Sequence, residues 1–99
     1  MDNLLSIGIK QSIIDKMLEE NDEVIVANLD YNFDTVARIL KKLSFLDSKV
    51  LSDILIYYND IFFIDYEDFE KRFNSVNIDL VKDDINRNPL VLYEILNIA

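Results

Sequence analysis

The 99-residue sequence contains no cysteine and no histidine. The first absence excludes a disulfide, a thiolate nucleophile and a zinc–thiolate site. It fits a reducing compartment, so a cytoplasmic location is expected. The second absence removes the commonest general base and metal ligand at neutral pH. Together they point away from an enzyme, and no cofactor or metal is expected. A single glycine, Gly8, and a single proline, Pro89, leave little material for tight turns. That argues against a fold of many β-hairpins and for helices joined by short polar loops. No apolar run approaches the roughly 20 residues that cross a bilayer, so no membrane partner is expected. The opening MDNLLSIGIKQ has an acid where a signal peptide needs positive charge, and no targeting segment is read there. Basic residues are scarce as well, ten against nineteen acidic ones, for a net charge of −9. Binding a nucleic-acid backbone depends on Lys and Arg displacing counterions. The chain as a whole is therefore expected to be repelled by nucleic acid and to favour a protein partner with a basic surface.

What the sequence does contain is apolar surface in quantity. Half the residues are hydrophobic, with six Phe and five Tyr, enough for one modest core in a single domain spanning 1–99. Helix signals recur along it. Asp2 can cap a short first turn, which Gly8 breaks. Ile9, Ile13, Ile14, Met17 and Leu18 form a stripe at helical spacing, closed by Asn21 and Asp22. The run VIVAN (24–28) is short and β-branched, and is expected to be an extended or one-turn linker. Asp30 is placed to cap YNFDTVARILKKL, whose Phe33, Val36, Ala37, Leu40 and Leu43 share a face. Asp47 precedes SKVLSDILIYYN, Asp65 precedes YEDFEKRFNSV, and Asp79 can cap LVKDDINRN. Pro89 suits the first position of a last helix, PLVLYEILN. The expected fold is all-α, a compact array of about six short helices.

These segments repeat. IIDKMLEEND (13–22), LSDILIYYND (51–60) and LVKDDINRNP (80–89) align Ile13 with Leu51 and Leu80. They also align Leu18 with Ile56 and Ile85, and Asn21 with Asn59 and Asn88. Upstream, SIGI, KLSF and SVNI correspond, and downstream each Asn is followed by an apolar run, VIV, IFFI or LVL. Units of roughly thirty to forty residues built from two helices are the mark of an α-helical repeat protein. The pattern LLSIGIKQSIIDKMLEENDEVIV…NFDTVARILKKLSF resembles the helical repeat of mitochondrial transcription termination factors. The resemblance rests on the Leu-rich helix ending near an Asn dipeptide and on the SIGI turn. It implies a curved helical array that holds nucleic acid on a basic concave face. The glycine of the turn is replaced by Ser44 and Asn77 in the later units, and Asn-Pro occurs only at 88–89.

Candidate functional residues are few. DYNFD (30–34) starts like a calcium loop but has Thr35 and Lys41 where the loop needs Gly and Glu, so it reads as a cap with solvated acids. The acids of IDYEDFEKR (64–72) sit in a helix first turn, where the dipole favours them. Glu19, Glu20, Asp22 and Glu23 are different, because acids near a helix C-terminus are unfavourable. They mark an expected partner-binding surface. Ile56 and Tyr57 join them, since they project away from the Leu51, Ile54, Leu55 and Tyr58 stripe. That helix is apolar on more than one face, the mark of a central helix. Arg38, Lys41, Lys42 and Lys49 are the only local basic excess. They would carry phosphate contacts if the chain bound nucleic acid, and otherwise complement a helix dipole and nearby acids. An acidic mimic of nucleic acid, of the kind a phage or mobile element uses as an inhibitor, is a third reading; it requires carboxylates in rows at phosphate-like spacing.

Overall fold

A computed structural model describes residues 1–98. Eight α-helices and one 3-10 turn account for its regular structure, and there is no strand among the described residues. The helices are α1 (Asp2–Ser6), α2 (Gln11–Glu20), α3 (Glu23–Tyr31), α4 (Phe33–Lys42) and α5 (Ser48–Tyr57). The 3-10 turn Asn59–Phe63 follows, then α6 (Tyr66–Asn74), α7 (Ile78–Arg87) and α8 (Val91–Ile95). The radius of gyration is 12.8 Å, close to the ~13 Å of a globular chain this long. The helices therefore close on one core rather than stack into an extended solenoid.

Asparagine side chains mark three of the helix ends. A helix leaves its last carbonyls short of donors, and the side-chain amide adds a donor there, a second one at α2 and α3, where the backbone N–H of the same residue already reaches the carbonyl. Asn21 Nδ2 donates to Met17 O (3.0 Å) at the end of α2, and Asn32 Nδ2 donates to Asn28 O (2.9 Å) at the end of α3. Asn59 Nδ2 donates to Leu55 O (3.1 Å) at the end of α5. Each is the same four-residue step. Asn97 ends α8 by entering the left-handed region itself, at φ 58°, a conformation that Asn tolerates better than most residues. At the opposite ends, Asn77 Oδ1 accepts from Asp79 N and Asn88 Oδ1 accepts from Leu90 N, both at 3.1 Å. Gly8 fills the one turn where φ reaches +94°, between α1 and α2.

The most extensive helix pairing joins α2 to α5. Asn21 Nδ2 also reaches Ile56 O (2.8 Å), and Asn59 Nδ2 donates to Asn21 Oδ1 (3.0 Å). The two C-terminal ends are thus bonded together, so the helices run parallel. Asn59 is the one buried polar residue among the described residues, 6% exposed, and its amide hydrogens are both used. Around this pair, α1 lies on α3, α4 on α6, and the 3-10 turn on α4 and α5. Ile14, Met17, Val26, Leu29, Val36, Ile39, Ile54, Phe62 and Phe69 fill the centre. On α6 the rings of Tyr66, Phe69 and Phe73 lie in a row, Phe69 and Phe73 stacked at 5.3 Å between centroids. The α7–α8 pair is tied on by Asn86 Oδ1 accepting from Asp47 N (3.0 Å) and by the Arg72 guanidinium donating to Leu96 O (2.7 Å).

Several sequence expectations are corrected. VIVAN is not a linker but the body of α3, started by Asp22, whose Oδ1 accepts from Val24 N (3.1 Å). Burial of Val26 and Leu29 outweighs the weak helix preference of β-branched residues. Asp30 lies inside α3 and does not cap α4. Its Oδ1 accepts instead from Leu4 N (3.0 Å), holding α1 across 26 residues. Asn77 rather than Asp79 caps α7, and the last helix begins at Val91, two residues past Pro89. Asp2 is the first residue of α1 and not its cap, a place that Met1 holds; the Asp47 and Asp65 boundaries stand, although Asp47 makes no side-chain cap bond.

Replacing Asn59 with Ala should lower stability by about 1–3 kcal/mol, because Leu55 O and Asn21 Oδ1 lose their shared donor in a buried setting. A double-mutant cycle with Asn21→Ala, read by urea denaturation, should give a coupling of at least about 0.5 kcal/mol.

Candidate functional site

The C-terminal end of the α2–α5 pair carries the acidic residues. Glu19 and Glu20 occupy the last turn of α2, which holds no basic residue. Asn21 and Asp22 then turn the chain, and Glu23 opens α3. All four carboxylates are exposed. Glu19 meets Lys16 at 3.4 Å, across a pair that is more than half exposed at both ends. Glu20, Asp22 and Glu23 have no basic partner within 4.0 Å among the described residues. Asp22 is committed locally as the α3 cap, while Glu20 and Glu23 make no hydrogen bond from their side chains to the described residues. Exposed apolar groups stand in the same corner. Leu18 is 40% exposed, Val24 64% and Tyr57, next to the Ile56 carbonyl that Asn21 grips, 50%.

Ile56 does not belong to this surface. It is 7% exposed, because α5 is covered on more than one side and its apolar residues point into neighbours rather than into solvent. Tyr58, one residue beyond the exposed Tyr57, packs edge-on against Tyr93 at 6.3 Å between centroids, and Tyr93 Oη donates to Asp60 Oδ2 (3.2 Å). Partial burial, and then the negative charge of Asp60, push the Tyr93 phenol up to about 12.

Three of the four basic candidates come together. Arg38, Lys41 and Lys42 border an open recess of about 540 Å³ with Tyr66. Arg38 lies over the Tyr66 ring, 5.4 Å from its centroid. Lys42 faces Glu70 (3.6 Å), which also accepts from Tyr66 Oη (3.3 Å). Two of the three cations are therefore already engaged. Lys49 is elsewhere, paired with Asp53 at 3.1 Å.

The N-terminal end of the α2–α5 pair is open and apolar. A groove of about 370 Å³ runs between the two helices. Ile9 and Ile13 form one wall and Leu51 and Leu55 the other, with Ile7 and Leu40 closing it. Ile13 and Leu51 are the pair aligned in the sequence repeat, so the 38-residue offset is also the packing register of the two helices. Lys10 and Lys49 border the groove, and no acidic side chain lines it. The sequence expectations do not include this place. The alignment of Ile13 with Leu51 is its one signal in the sequence, and it does not distinguish packed residues from residues that leave a cleft. Among the described residues no group of three Asp or Glu side chains converges as a metal ion would need.

Comparison with protein-family models, with curated proteins and with solved structures finds no match to this chain.

Tyr93 provides a spectroscopic handle on the packing of α8. Its phenol is expected to ionise near pH 12, above the value of about 10 for a free tyrosine, when absorbance of phenolate is followed. Asp60→Asn should bring that midpoint down. Because the folded state holds this proton more tightly than the unfolded state, the contribution is complete below about pH 10 and is lost as pH rises toward 12. Stability measured by urea midpoints should fall across that window.

Proposed function

We propose that this chain is a non-enzymatic interaction module, a degenerate helical-repeat domain that holds a protein partner through the acidic corner at the C-terminal end of α2. The observation that carries this reading is the placement of Glu19 and Glu20. A helix C-terminus repels negative charge, the last turn of α2 holds no basic residue, and the one cation that meets this pair, Lys16 against Glu19, is an exposed contact one turn back. Three exposed apolar groups beside them supply contact area. Apolar anchors ringed by carboxylates suit a partner surface with apolar residues among Lys and Arg. The lack of His and Cys supports the non-enzymatic part of the reading.

The repeat is supported by what its aligned positions do. Asn21 and Asn59 end α2 and α5 in the same way and bond to each other. Asn88 differs, since it serves the N-terminal side of the next turn. This is a repeat of two units and a diverged third, in keeping with the resemblance to the repeats of mitochondrial transcription termination factors. A nucleic-acid reading would use Arg38, Lys41 and Lys42, which share one recess. Its affinity would fall steeply with salt, and a mobility-shift titration at low salt showing no complex would dismiss it.

For the acidic corner, a fluorescent peptide of alternating Lys and Leu should bind the wild-type chain at low salt and release at high salt. The triple variant Glu19→Lys, Glu20→Lys, Glu23→Lys should bind about tenfold or more weakly, given up to ~1 kcal/mol for each exposed charge removed. Asp22 is left in place because it starts α3. Binding that ignores both salt and charge reversal would refute the corner as the docking surface.

A further inference from the structure

We infer that the two ends of the α2–α5 pair are complementary to one another, so that the groove of one copy takes the acidic corner of a second copy, head to tail. This rests on the reading of the acidic corner as a docking surface, and it names the occupant.

The first observation is a reversal of sign. The chain carries nineteen acidic and ten basic residues, yet the groove is bordered by Lys10 and Lys49 and lined by no acid. Parallel packing sharpens this polarity. Neither Lys10, preceding α2, nor Asp47, preceding α5, makes a side-chain cap bond to the helix it starts. The first-turn amides of both helices lie at the groove end, where they add partial positive charge, offset at α5 by the exposed Asp47 carboxylate. At the far end, about 15 Å away along ten-residue helices, both dipoles present their negative ends. Glu19 and Glu20 add to that negative end rather than offsetting it.

The second observation is apolar complementarity. The groove is walled by Ile9, Ile13, Leu51 and Leu55. The corner projects Leu18, Val24 and Tyr57, which are 40%, 64% and 50% exposed. A protruding apolar group flanked by carboxylates is what an apolar cleft edged by lysines fits. The Lys49–Asp53 pair is a surface pair four residues apart on one helix, with Lys49 86% exposed. Such pairs hold weakly, so Lys49 can exchange Asp53 for an incoming carboxylate. Net repulsion between two copies of charge −9 is screened beyond roughly 8 Å at physiological salt, whereas pairs in contact are screened much less.

The two patches are different, so the contact is heterologous. Each copy keeps one free groove and one free corner, so association continues beyond the dimer, into a ring where the rotation between copies closes and into an open filament where it does not. Sedimentation velocity over a concentration series at physiological salt should show wild-type mass rising above the 11.6 kDa monomer. Two variants separate the ends. Lys10→Glu with Lys49→Glu disables the groove and leaves the corner intact. Glu19→Lys with Glu20→Lys disables the corner and leaves the groove intact. All four positions are exposed, and circular dichroism checks that both variants keep their helices. Each variant alone should remain monomeric. Their equimolar mixture should associate again, because the intact corner of the first fits the intact groove of the second and the two charge-reversed patches are complementary to each other. A wild type that stays monomeric throughout the series, or a mixture that stays monomeric, overturns self-docking. So does a variant that assembles as the wild type does. If the wild type is monomeric while the Lys–Leu peptide still binds in a charge-dependent way, the corner remains a docking surface for another protein. Decanoate or an acidic peptide held in the groove of that monomer would assign the groove to another occupant. If the peptide also fails, both readings fall.

Discussion

The bond between Asn59 and Asn21 sets the arrangement on which the remaining helices depend. A side-chain amide has two hydrogens, and Asn59 gives one to the end of its own helix and one to the partner asparagine. Asn21 does likewise, closing α2 and gripping Ile56 O. Two helix ends are therefore satisfied and aligned by the same pair of side chains. Burying such groups without partners would cost several kcal/mol, so the pair tolerates little slippage. With α2 and α5 pinned side by side, α3 and α4 must travel back along them to connect one C-terminus to the next N-terminus. The 3-10 turn and α6 then cover the other side. Parallel neighbours need a long connection in any fold, and here that connection is two helices.

How much of this can be read from the residues varies in an instructive way. The Asn21–Asn59 correspondence is visible as a repeat because it obeys a local rule, four residues from a helix carbonyl, and therefore recurs at fixed places in the pattern. Asp65 is legible for the same reason. Asp30 misleads because a carboxylate just ahead of a helical stripe resembles a cap for that helix. Its real partner is an amide 26 residues earlier, and no local pattern carries that information. VIVAN misleads through its composition, since β-branched residues prefer extended backbone in isolation. Its helix is held by tertiary burial of Val26 and Leu29. Exposure of Glu19, Glu20, Asp22 and Glu23 is easy to foresee, because charged side chains seldom leave water. Burial of Ile56 is not, because a helix wrapped by neighbours has no face from which its outward direction can be judged. The groove is invisible for a related reason: it is a shortfall of packing between aligned residues, not a property of any of them.

The helix pair is electrically polar along its length. Antiparallel helices cancel one another's dipoles, whereas parallel ones add. At α2 the charged residues follow that sum, Lys10 before the helix and Glu19 and Glu20 in its last turn, whereas at α5 Lys49 follows it and Asp47, just before the helix, opposes it. Stability alone would favour the opposite choice, with carboxylates at the start and lysines at the finish, as α4 has with Asp34 and then Lys41 and Lys42. Within one small protein, α4 and α2 thus place their end charges in opposite ways.

Termination of helices by asparagine rather than glycine gives the molecule a chemical lifetime as well as a shape. Asparagine is among the thermolabile residues, and hydrolysis of its amide leaves a carboxylate that can accept hydrogen bonds but not donate them. At Asn59 that change would set a negative charge against Leu55 O and Asn21 Oδ1, both of which need a donor. The bond that aligns α2 with α5 would turn into a repulsion through loss of a single ammonia molecule. Asn21 donates to Met17 O and Ile56 O through the same kind of amide, so the contact carries this sensitivity twice, once at a buried residue and once at a half-buried one.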